Sequence, residues 1–157
     1  WNSWNDPNAH AAVVLGVARV FALSGDSDAA LTAYARALEL GLGDALEPLA
    51  QIPLSLGYKR ARAWPMAVEV WDTMRVRGGR AAIWAHIELA KYHEHQSCEF
   101  GVAIDHVAEA MRRADHFDGR LPVTLGRPVL EHRLRRLERR ANHCSSHSDC
   151  ARLYNSL

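Results

Sequence analysis

AALTAYARALELG at residues 29–41 decides the reading of this chain, because two later stretches repeat its apolar grammar. They are MAVEVWDTMRVRG at 66–78 and VAIDHVAEAMRRA at 102–114. Each carries a small residue, a large apolar one four positions on, and a small or flexible one three later. The triplets are Ala30/Tyr34/Ala37, Ala67/Trp71/Met74 and Ala103/Val107/Ala110, with anchors 37 and 36 residues apart. Steps of four and then three place each triplet on one helical face. A period in the thirties points to a helix-turn-helix repeat, in which stacked helix pairs bury a shared core.

Working outward, Asp6-Pro7 is a helix-start signal. The first helix should run to about Leu23 with Val14, Val17, Ala18 and Phe21 as its stripe. Ser24-Gly25-Asp26 then turns the chain, with Asp26 or Ser27 capping the next helix. The second unit opens at Gly41-Leu42-Gly43-Asp44 and contains Pro48 and Pro53. Pro48 fits a first helical turn, whereas Pro53 should kink the helix or mark its true beginning. Ala63-Trp64-Pro65 leads into the helix of Trp71, and Gly78-Gly79 ends it. In the third unit, residues 80–95 read as a helix with Ile83, Ile87 and Ala90 on one stripe, followed by a turn at 96–99 and a partner helix over 100–115. Gly119, Pro122 and Gly126 make 117–126 a longer loop. A last helix over 128–140, with Leu130, Leu134 and Leu137 as its seam, suits the end of a stack.

The whole is therefore expected to be all-α: about three helix pairs plus a C-terminal capping helix, over residues 8–141. Residues 1–7 read as a linker from a longer parent chain, since the sequence opens on Trp1-Asn2-Ser3-Trp4 without an initiator methionine. Residues 142–157 are small, polar and unpatterned, and read as a flexible tail.

Composition narrows the function classes. Apolar content is 48%, ordinary for a folded chain of 157 residues. The longest apolar stretch, 9–23, is broken by His10 and Arg19 and falls short of a membrane span. Three cysteines, Cys98, Cys144 and Cys150, are too few for a disulfide framework, which favours a reducing, cytoplasmic setting. The net charge of +1 is distributed in blocks, with nine arginines against four acids over residues 112–140.

The first unit resembles a tetratricopeptide repeat. Val17-Ala18, Phe21, Gly25, Ala30, Tyr34 and Ala37 stand where that motif places its packing residues. The resemblance implies a right-handed superhelix. The third unit, Ile87-Glu88-Leu89-Ala90-Lys91-Tyr92-His93-Glu94-His95 followed by Ala103, resembles the helical C-terminal region of YprB-type bacterial proteins. Leu134-Arg135-Arg136-Leu137 fits that pattern as well. In such proteins an RNase H-like exonuclease domain precedes a tetratricopeptide region, so the resemblance implies a nuclease-like domain elsewhere in a parent chain. The acidic metal-binding motifs of that domain have no counterpart here, and no nuclease residue carries across. The prolines of the second unit depart from the repeat pattern.

Candidate chemistry is sparse. His143, Cys144, His147 and Cys150 are plausible zinc donors by type, but four ligands within eight residues leave little chain to wrap around an ion. His86, Glu88, His93, Glu94 and His95 cluster without the His-Glu-x-x-His order of zinc proteases. His93 occupies a packing position. No phosphate loop and no nucleophile-base set is present, so the fragment is expected to be non-catalytic, with no cofactor. The expected role is a protein-interaction scaffold whose groove uses Arg19, Tyr58, Arg62, His86, Lys91 and Glu94, the partner being an unidentified protein or peptide. The alternative is nucleic-acid binding through the basic last helix, where Arg133, Arg136 and Arg140 form one stripe and Arg135 and Arg139 another. Glu131 can pair with Arg135 at i,i+4, and no aromatic residue interleaves the arginines for base stacking.

Overall fold

The computed structural model describes residues 10–117 and 119–154, the last eleven of them by their backbone alone. Seven α-helices occupy the described residues, and no strand is present among them. They are α1 (Ala11–Ser24), α2 (Ser27–Glu39), α3 (Glu47–Arg60), α4 (Trp64–Arg77), α5 (Gly79–His95), α6 (Phe100–Asp115) and α7 (Arg127–Tyr154). A single 3-10 turn, Val123–Leu125, lies in the loop before α7. Asp6-Pro7 falls outside the described residues. No helix among those described is long and apolar enough to cross a membrane.

The chain divides into two compact units, residues 1–74 and 75–157. In the first, α2 packs on both α1 and α3. The turn between α1 and α2 follows from Gly25, which sits in the left-handed region at φ 84°. There the Gly25 N–H donates to Ala22 O and the Asp26 N–H to Phe21 O, satisfying carbonyls that the helix end would otherwise leave open. Asp26 then caps α2, its Oδ1 accepting from the Ala29 N–H at 3.1 Å. Val14, Leu15, Ala18, Ala30, Tyr34 and Leu54 belong to one core, with Val70 of α4 packed against it. Of the expected α1 stripe, Val14 and Ala18 are buried and Val17 and Phe21 half-buried, while Leu15 joins the core beside them.

α3 settles the proline question. Pro48 lies in its first turn, and Pro53 lies inside a helix that continues through it to Arg60. Pro53 removes the N–H that would have bonded to Leu49 O, a loss this helix carries. Gly57 on the same helix faces α2, and a Cβ there would stand 2.1 Å from Leu31 Cδ2. Close approach of α3 to Leu31 therefore depends on a residue without a side chain.

In the second unit, α6 packs on both α5 and α7. Ile83, Ile87 and Ala90 of α5 meet Ala103, Val107 and Ala110 of α6 in a core that Leu130 and Leu137 of α7 complete. Residues of α5 are buried on every side between Ala82 and Ala90, apart from the half-buried Trp84. Hydrophobic periodicity is blurred in such a helix, because no face needs to be polar.

All nine triplet residues are buried, none more than 5% exposed. They lie on α2, α4 and α6. The last helix differs from expectation. It was read to end at Arg140, with a loose tail from Asn142, yet helical backbone continues to Tyr154. No glycine occurs in 127–154 and its sole proline is Pro128 in the first turn, so nothing breaks the helix where the apolar pattern stops.

A buried glutamate clamped by three arginines, and a histidine ladder beside it

The second unit gathers most of the chain's polar chemistry on α5. Glu94 is its last fully enclosed residue, 1% exposed. It lies seven positions after Ile87, so it continues the apolar stripe toward α7. Three arginines of α7, at i, i+3 and i+7, converge on it. Arg136 Nη2 donates to both carboxylate oxygens, at 2.8 and 2.6 Å. Arg140 Nη1 donates to Oε1 at 2.8 Å and Arg133 Nη1 to Oε2 at 3.3 Å. Arg140 is further positioned over the Phe100 ring, 4.9 Å from its centroid. His95 Nε2 stands 3.6 Å from Oε2. Burial holds the Arg133 pKa below its ordinary value, and neighbouring Arg136 adds to the effect against the pull of Glu94 and Glu88.

The same helix carries a second buried acid. Glu88 is 3% exposed and pairs with Lys91 one turn on. Alternating charge blocks in the sequence thus meet inside one unit: Glu109 of α6 binds Arg112 and Arg113, and Asp115 binds Arg127 at the start of α7.

On another face of α5, histidines form a ladder with α6. His86 Nδ1 and His106 Nδ1 are 3.0 Å apart, so one ring donates and the other accepts. His106 stacks on His93, with ring centroids 5.5 Å apart and planes 15° from parallel. His93 Nδ1 contacts Glu99 Oε2 at 2.9 Å and Ser97 Oγ at 3.0 Å, tying the turn to α5. His86 Nε2 is buried without a partner. Donation from His86 Nδ1 would leave that nitrogen a bare lone pair rather than an orphaned N–H.

His86 makes the unit sensitive to acid. Burial, then His106 and Arg113, lower its pKa to about 4, with Glu109 opposing. An unfolded histidine titrates near 6.5, so between those values the unfolded chain binds a proton that the folded one refuses. The stability that neutral His86 contributes is complete above about pH 6.5 and is lost as pH falls toward 4, by at most about 3 kcal/mol. Denaturant unfolding between pH 7.5 and 5 should show this decline in the parent and a flatter profile in His86→Gln. Equal profiles would remove His86 as its cause. Glu109, held down at about 2 by Arg112, contributes its own loss only at more acid pH.

The expected site residues fall in both units. In the first unit, Arg19 and Arg62 are exposed and Tyr58 is half-buried, its pKa raised by burial and by Glu69. In the second, His86 and Glu94 are buried and engaged within the fold, and Lys91 pairs with Glu88. Arg133, Arg136 and Arg140 share a stripe as read, but that stripe faces Glu94. Arg135 and Arg139 stand on the outer face of α7, where they line an open hollow of about 510 Å³ with His132, Glu138 and Asn142. The side chains of Cys144, His147 and Cys150 lie outside the described residues, and no metal-holding group of three or more His, Cys, Asp or Glu occurs among those described. His106 and Phe100 escaped the sequence reading, since His106 lies inside the third repeat but off its triplet and Phe100 precedes that repeat.

Comparison with known proteins bears out a distant likeness to YprB. The chain is 35% identical over 94 residues to the uncharacterized protein YprB of Bacillus subtilis (strain 168). That match covers 59% of this chain and 22% of YprB, so the chain spans less than a quarter of that relative's length. No protein-family model matches the chain. No solved structure matches it.

Proposed function

We propose that this chain is a tetratricopeptide-like scaffold, three helix pairs closed by α7 in a right-handed superhelix, that recognises another protein and performs no chemistry of its own. Burial of the three triplets supports the repeat register. The observation that carries the binding role is on α1. Its outer face bears Val13, Val20 and Leu23, which are 58%, 64% and 89% exposed, with Gly16 between them. Positions 13, 16, 20 and 23 follow the spacing of a helix seam. Arg19 is the only charged residue in the fourteen of α1. An apolar stripe left in water at this spacing is the surface that a partner's apolar helix face would cover. In a longer protein of the YprB type, an RNase H-like domain of the same chain is one candidate partner.

A photo-crosslinking residue at Val20 in the full-length parent, expressed in its own cells, tests this. A defined protein adduct is expected at Val20 and not at exposed Arg120. Substituting Val13 and Leu23 by aspartate should abolish the adduct while far-UV circular dichroism stays unchanged. An adduct that survives both aspartates, or appears equally at Arg120, would defeat the reading.

A further inference from the structure

The Glu94 cluster is overcharged. Three guanidiniums address one carboxylate, and the neighbouring acid, Glu88, is already paired with Lys91. No other carboxylate among the described residues bonds Arg133, Arg136 or Arg140. Two positive charges are therefore left over at one point, where His95 Nε2 also stands 3.6 Å from the same carboxylate. Like charges held together in a half-buried place repel and are costly to keep. Locally unfavourable arrangements of this kind are where functional sites are found.

The donors are also incompletely used. A guanidinium offers five N–H groups in a rigid fork. Arg136 spends only Nη2 on Glu94, and its Nε is buried with no partner. Arg140 spends only Nη1. Their side chains remain 39% and 45% exposed, so apart from the enclosed Arg136 Nε their forks border solvent, whereas Arg133 lies deeper at 19%. Glu94 from beneath and Phe100 from the side fix the two forks in place, which lowers the ordering cost of a further ligand.

We propose that Arg136 and Arg140, with Arg133 behind them, bind a phosphate-type dianion, inorganic phosphate or a phosphomonoester, on the solvent side of Glu94. The charge count selects this class. A phosphomonoester carries about −1.5 to −2 near neutral pH on three strong acceptor oxygens, which matches a surplus of two concentrated at one point. A nucleic-acid strand spreads single charges along its length and rewards an extended row of cations. The outer arginines, Arg135 and Arg139, do not extend the row, since they lie on another face with Glu138 between them. Charge-assisted, forked hydrogen bonds from arginine suit a phosphoryl group in particular. This inference stands apart from the scaffold reading, because it concerns α7 and not the apolar face of α1.

Calorimetric titration of the full chain with inorganic phosphate, at ionic strength matched by sodium chloride, tests it. Saturable binding is expected, stronger at pH 8 than at pH 6 because the dianion prevails at the higher pH. Arg140→Gln should weaken it by about tenfold or more. Glu94→Gln, checked for intact helix by circular dichroism, should strengthen it, because the competing negative charge is gone. A phosphoserine peptide binding more tightly than free phosphate assigns the ligand to a modified protein; equal affinity assigns it to the free anion. The proposal is overturned if phosphate shows no saturable binding, or if Arg140→Gln binds as the parent does. It also fails if a single-stranded oligonucleotide at equal phosphate concentration binds more tightly than either phosphomonoester.

Discussion

Replacing Trp71 by alanine is expected to lower the unfolding free energy by about 3–5 kcal/mol, the range for truncating a buried aromatic. Trp71 is completely buried in the middle of α4 and is the largest enclosed side chain among the described residues. It stands in its triplet where Tyr34 and Val107 stand in theirs, so the loss also tests the repeat register. Its Nε1 is buried with no hydrogen-bond partner. Trp71→Phe therefore forfeits volume but no bond, and should cost about 1–2 kcal/mol, well short of the alanine variant. Urea denaturation of the three proteins, followed by circular dichroism, gives the ordering. An alanine variant as stable as the parent would refute the packing role of the middle triplet.

Glu94→Ala should be the second severe substitution, at about 3 kcal/mol. Removing one member of a buried ion pair costs about 3–5 kcal/mol because the survivor is left uncompensated. Here the lower end applies, since Arg136 and Arg140 are exposed enough to rehydrate. Arg133 is less able to do so, its side chain being 19% exposed. Arg133→Met should therefore be harmful in the parent and harmless or stabilising beside Glu94→Ala. The coupling is read from a double-mutant cycle in urea. Strictly additive losses would show that Arg133 does not depend on Glu94.

Legibility in the sequence followed the range of the interaction. The triplets were readable because helical periodicity and burial are local properties of thirteen residues, and all nine positions are enclosed. Gly25 and Asp26 were readable because a left-handed turn and a cap have few chemical solutions. Helix α3 was ambiguous because Pro53 opposes helix locally and is outweighed by packing around it. The site was only half legible. The spacing of Arg133, Arg136 and Arg140 announced one face, but not what it faces, since Glu94 lies 39 to 46 residues away. His106 had no signal in its own neighbourhood; only the pairing of α5 with α6 brings it to His86. The end of α7 was misjudged because a lost apolar pattern was taken for a lost helix.

A helix enclosed along its whole middle, as α5 is, has a consequence for how this sequence can drift. Substitutions between Ala82 and Ala90 are felt first as changes in stability, because almost no side chain there reaches solvent to meet anything new. Variation that leaves the fold intact must then accumulate elsewhere, as on the outer faces of α1 and α7. Among descendants of one ancestor, α5 should keep its residues longest while those faces diverge, so lineages whose surfaces no longer look alike would still share this helix.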